Sequence, residues 1–119
     1  MSPVDLETRT TDFALRIINL FAALPKTTEA QVLGKQLLRC GTSVGAHYRE
    51  AKRAKSTLDF ISKIEGALQE LDETCYWLQL IEKSEIISAS RLGSLSEEAI
   101  EITRILVTVV KRAREKLKK

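Results

Sequence analysis

The residues best suited to chemistry lie in one stretch, "RCGTSVGAHYREAKRAK", residues 39–55. It holds the chain's only histidine, one of its two cysteines, a serine and a cluster of basic side chains. Ser43 and His47 are four residues apart, so on a helix they are neighbours, and Glu50 follows within reach of the imidazole. A nucleophile–base pair also needs a carboxylate on the remote ring nitrogen and donors for the oxyanion. Amides in the middle of a helix are committed to that helix and cannot supply those donors. Acyl transfer is therefore a poor reading, and a helix-flank residue at the margin of a core is the better one for His47.

Other chemistries fail on spacing. "GTSVG" lacks the GxxxxGK[ST] pattern of a phosphate-binding loop, and no strand precedes it. A zinc or iron site needs converging His, Cys or carboxylate ligands. One histidine and two cysteines, Cys40 and Cys75, without a CxxC pair give no such set, so neither metal nor cofactor is expected. Both cysteines fall on apolar helical positions, as buried thiols of a reducing compartment do. Small helical ribonucleases of the HEPN type place an Arg and a His closer than Arg39 and His47, and follow the Arg with a polar residue where Cys40 stands. The carboxylates Glu65, Glu70, Asp72 and Glu73 have the spacing of a solvated helix face. Of Tyr76 and Trp77, one should pack inward and the other flank it. The chain is therefore expected not to be an enzyme.

The elements that carry these residues are helical. Among 119 residues there are two prolines and five glycines, 44% are hydrophobic and 29% charged, which suits one all-α domain with one core, spanning 1–119. No apolar run is long enough for a membrane span, and "MSPVDLETRT" has neither the basic nor the apolar region of a signal peptide, so a cytoplasmic location without membrane contact is expected. Four segments repeat apolar residues at helical spacing. The first carries Leu6, Phe13, Ile17, Leu20 and Leu24 and stops at Pro25. The second opens with Thr28 as N-cap and carries Leu33, Leu37, Cys40, Val44 and Ala51. The third follows a capping box of Ser56 and Asp59 and runs through Ile61, Ile64, Leu68, Leu71, Cys75 and Leu78. The fourth starts near Ser88 or Ser90 and repeats Leu92, Leu95, Ala99, Ile102, Leu106, Val109, Ala113 and Leu117. Helices over about 5–24, 28–54, 57–83 and 89–117 joined by short links predict an antiparallel up-down four-helix bundle.

The first and fourth helices are apolar over a wider arc than one core needs: Ala14, Leu15, Ile18 and Phe21 widen the first, and Ile105, Val107 and Val110 the fourth. That excess favours self-association. On the second helix, Gly34, Gly41 and Gly45 fall on one line, turned by roughly 60–120° from the core direction. Each interior glycine costs about 1 kcal/mol relative to alanine, which a closely approaching helix of the same chain or of another subunit would offset. These six residues, Gly34, Gly41, Gly45, Ile105, Val107 and Val110, are the candidates for helix packing or a subunit interface.

Net charge is +3, but residues 111–119, "KRAREKLKK", alone carry +5. Helix C-termini favour Lys and Arg in any case. Arg49, Lys52, Arg53 and Lys55 form a strip beside the glycine line, and Lys111, Arg112 and Arg114 a second set. Both are candidates for sequence-neutral phosphate contacts, and the alternative is a solvated face paired with acids such as Glu50.

The segments "TSVGAHYREA", "DFISKIEGALQE" and "ETCYWL", in that order, resemble the bacterial S23, or 23S rRNA intervening-sequence, protein family. One departure is His47, where the family more often has Asn. The resemblance implies an antiparallel four-helix bundle that assembles into a homopentamer. It also implies kinship with the accessory proteins of diversity-generating retroelements, which bind nucleic acid and a reverse transcriptase. No catalytic residue comes with it. The function expected is thus a self-assembling bundle that binds RNA or structured nucleic acid. A scaffold that binds a protein partner instead is the alternative, and an RNase-like enzyme a distant third.

Overall fold

The computed structural model describes residues 5–118; residues 1–4, where the signal-peptide reading begins, and Lys119, the last of the basic tail, lie outside it. Side chains that can hold free amides mark where three of the four helices begin. Helix α1 (Leu6–Ala23) is capped by Asp5, whose carboxylate accepts from the Thr8 amide at 3.1 Å and the Thr8 hydroxyl at 2.7 Å. Helix α2 (Thr28–Lys52) is capped by Thr27 rather than Thr28: Thr27 has the extended backbone, and its hydroxyl accepts from the Ala30 amide at 3.3 Å. Helix α3 (Thr57–Lys83) has Ser56 accepting from the Asp59 amide at 3.0 Å. The return arm differs from a full capping box, because Asp59 accepts from the Lys55 amide at 3.2 Å. Helix α4 (Ala89–Leu117) starts after Ser88, whose hydroxyl meets that of Ser90 at 3.2 Å and caps nothing.

The links stop each helix. Leu24 ends α1 in extended backbone, as the residue before a proline must. After α3, Glu85 takes the left-handed conformation at φ 60°, the Ile86 amide reaches the Ile81 carbonyl and the Glu85 amide that of Glu82. This is a Schellman ending with Glu where glycine is usual, and half-buried Ile86 supplies its apolar contact.

The four helices run up and down in chain order. α2 packs along α1 and α3, α3 along α4, and α4 returns to α1 over a much shorter stretch. The result is an all-α bundle of 53 × 28 × 21 Å. Its core is the set of stripes read from the sequence, with Phe13, Ile17, Leu37, Val44, Ile64, Leu71, Leu92, Ile102 and Leu106 essentially without solvent contact. Several positions depart from the stripes, among them Leu20, Leu33 and Leu68, which are only half-buried. Val110 rather than Val109 is buried in α4, and Leu117 is exposed, because a strict heptad drifts around a straight helix. Cys75 is only half-buried. Among the described residues, no helix is long and apolar enough to cross a membrane.

Candidate nucleic-acid interface

The glycine line of α2 is roofed by α1 of the same chain. A methyl carbon added at Gly41 would lie 2.8 Å from Ile17 Cγ1, one at Gly45 3.2 Å from Thr10 Oγ1, and one at Gly34 would run into Leu24. Thr10 is itself buried, its hydroxyl donating to the Leu6 carbonyl at 2.7 Å. The absence of Cβ atoms therefore sets how closely α1 and α2 approach. Gly66 does the same on α3, where a Cβ would sit 2.9 Å from His47 Nδ1. The other packing candidates divide: Val110 is in the bundle's own core, Ile105 is half-buried against it, and Val107 is 51% exposed. Leu15, Ile18, Tyr76 and Ile100 are exposed as well, the last two lining a groove between α3 and α4. Trp77 turns inward while Tyr76 stays outside, their rings 5.2 Å apart.

His47 meets Glu70 rather than Glu50. Its Nε2 stands 3.7 Å from a Glu70 carboxylate oxygen, and Glu50 pairs with Lys63 at 3.6 Å. Glu70 does not lie on a solvated face: its side chain is 13% exposed, and Arg39 reaches it at 3.6 Å while bonding Glu73 at 3.0 Å. Ser43 donates to the Arg39 carbonyl at 2.7 Å, a bond internal to the helix. Cys40 is buried against the Thr74 hydroxyl at 3.2 Å, and burial pushes both thiols up from their ordinary pKa, which makes them poor nucleophiles. Among the described residues, no group of His, Cys, Asp and Glu comes together to hold a metal ion.

The basic candidates all sit toward one end of the bundle. Helices α2 and α4 run in the same direction, so their basic C-terminal turns share an end with the α2–α3 link. Two of the seven are tied down: Lys52 pairs with Glu7 at 3.2 Å and Arg114 with Glu65 at 2.7 Å. Arg49 donates to the Thr11 hydroxyl at 3.4 Å and is in no ion pair among the described residues. Arg53, Lys55, Lys111 and Arg112 are exposed and in no ion pair among the described residues. At this end a groove of about 360 Å³ opens between the α2–α3 link and the last turns of α4. Lys52, Lys55 and Lys116 stand on it, and Ala51, Phe60 and Ala113 line it. Phe60 and Lys116 were not singled out in the sequence, although helix parity alone brings their segments together.

This bundle has known counterparts. Residues 4–108 match the family described as 23S rRNA-intervening sequence protein. The chain belongs to that family. It is similar to a crystal structure of a protein of unknown function from the S23 ribosomal protein family of Bacteroides thetaiotaomicron, with 40% identity, a TM-score of 0.84, and coverage of 88% of this chain and 97% of that one. No curated protein matches the chain. The four-helix bundle is thus the architecture shared with this solved member of the family, a protein of unknown function.

Proposed function

We propose that this chain is a non-enzymatic, cytoplasmic bundle that assembles with itself, as a homopentamer, and binds RNA or other structured nucleic acid through its basic end. The observation that carries the reading is the set of exposed cations in no ion pair among the described residues, Arg53, Lys55, Lys111 and Arg112, gathered at one end from two distant segments. Cations left free in this way release condensed counterions from a phosphate backbone, without reading bases. Exposed Leu15, Ile18, Ile100 and Val107 support self-association, which would repeat the basic end several times and raise avidity. Against an enzyme stand the commitment of Ser43 to its own helix and the raised thiol pKa values.

RNA binding across a salt series, on protein of known oligomeric state, tests this reading. A steep fall of affinity with salt is expected, and no binding at low salt overturns it. The Lys52–Glu7 and Arg114–Glu65 pairs favour the competing scaffold, in which basic residues serve protein contacts. Charge reversal at Arg49 and Arg53 separates the two. Loss of RNA binding with the oligomer intact supports nucleic-acid binding, and loss of the oligomer supports the scaffold.

A further inference from the structure

We infer that the groove at the basic end takes an unpaired nucleic-acid strand, with one base against Phe60 and the flanking phosphates on Lys55 and Lys116. The inference rests on the nucleic-acid reading above and narrows it to a site and a strand type. The groove combines two features that a duplex cannot use together. Its rim is cationic: Lys55 and Lys116 stand on it from opposite sides, one on the α2–α3 link and one near the end of α4, and neither is in an ion pair among the described residues. Its lining is mixed: Ala51, Ala54, Ala113 and the half-buried ring of Phe60 make an apolar strip beside Lys52, Ser56 and Thr57. A duplex offers phosphates to such a rim but keeps its base faces stacked inside. A single strand offers both, and stacking on an aromatic side chain is tolerant of base identity.

The local electrostatics favour this occupant. The N-terminus of α3, at Ser56 and Thr57, opens on the groove and adds the positive end of its dipole. Of the nearby acids, Asp59 accepts from the Lys55 amide, Glu7 holds Lys52 and Asp5 caps α1, while Glu115, next to Lys116, is in no ion pair among the described residues.

Fluorescence anisotropy tests the site, with a labelled homopolymeric single strand of about ten nucleotides and a blunt duplex of about ten base pairs, which has no unpaired loop, across a salt series. The wild-type protein is expected to bind the single strand more tightly. The double variant Lys55→Gln/Lys116→Gln should weaken it about tenfold and make the log–log salt slope shallower by about 1–2. Phe60→Leu, which keeps apolar bulk, should weaken the single strand several-fold with the salt slope unchanged and the duplex unaffected. Thermal melts show that each variant is folded; if Phe60→Leu is not, the lysine pair decides alone. Equal affinity for both probes, or wild-type binding by the lysine variant, overturns the inference and leaves nucleic-acid binding elsewhere on the surface intact. Failure of the wild-type protein to bind either probe at low salt overturns the broader reading itself.

Discussion

Helix α1 has two seams, and they are built differently. Against α2 it meets three glycines, and its Ile17, Phe21, Leu24 and Thr10 fill the space that missing Cβ atoms leave. Against α4 it meets a shorter surface, tied by Arg9, whose guanidinium bonds Glu98 through two 2.8 Å contacts, and by Arg16, which donates to Ser94 at 2.9 Å. The first seam is tightest at Gly41, against fully buried Ile17, so its tolerance there is set by volume. The second keeps partial solvent access, so it is set by charge and should respond to pH. Close packing and polar bridging can each hold a helix, but they fail under different insults.

The largest effect should come from overfilling the first seam. Gly41→Leu forces a side chain into buried Ile17, which has no solvent-facing way to move, and should cost about 3 kcal/mol even after the gain in helix propensity. For a chain of this size, that lowers the melting temperature by about 10 °C or more. Gly41→Ala should cost less, and in an Ile17→Ala background, which removes all three carbons that a Cβ at 41 would meet, it should cost less still. Calorimetry of the double-mutant cycle checks this, and strict additivity would mean that the glycine is not there to admit Ile17.

That seam also marks how far the sequence could be read. The alignment of Gly34, Gly41 and Gly45 follows from helical period alone, and so do the stripes that became the core. The occupant of the glycine line does not, because it lies in another helix and no local period names a partner. Glu70 is the same case: among Glu65, Asp72 and Glu73 it has the look of a solvated acid, and only Arg39 and His47 of α2 draw it into a seam. Gly66 gives no signal until the His47 ring is above it. The meeting of the two basic segments lay between these extremes. An up-down bundle places the C-termini of its second and fourth helices at one end, so the groove's location was implicit in the topology, whereas the place of Phe60 in its lining was not.

The second seam should give an intermediate effect with a pH signature. The Glu98 carboxyl is held below its ordinary pKa of 4.5, chiefly by the hydrogen bond from Arg9. A carboxyl whose pKa is lowered on folding contributes its full stability above the unfolded value and loses it as pH falls through the folded one. Glu98→Gln should therefore cost about 1 kcal/mol at pH 7, since the pair keeps some solvent access. The gap from wild type should close as the solution is acidified below about pH 4.5. Urea titrations at neutral and acid pH measure it. A gap independent of pH would assign the loss to packing and erase the contrast between the seams.

The smallest effect has the opposite sign and uses a glycine outside both seams. Gly93 lies inside α4, and a Cβ built on it meets nothing within 4 Å. Its backbone is helical and its φ is negative, so alanine adopts the same conformation without strain. What remains is the entropy that glycine gives up on folding, which Gly93→Ala should return as a stabilisation of roughly 0.5–1 kcal/mol. The same substitution at Gly41 meets Ile17 at 2.8 Å, so the two alanine variants should move the melting temperature in opposite directions. Equal shifts would mean that backbone freedom rather than close approach governs the α2 glycines. If Gly93→Ala destabilises the isolated chain or shifts its oligomeric state, that position has a neighbour that a single copy does not supply, and the outer face of α4 near its start is part of the assembly.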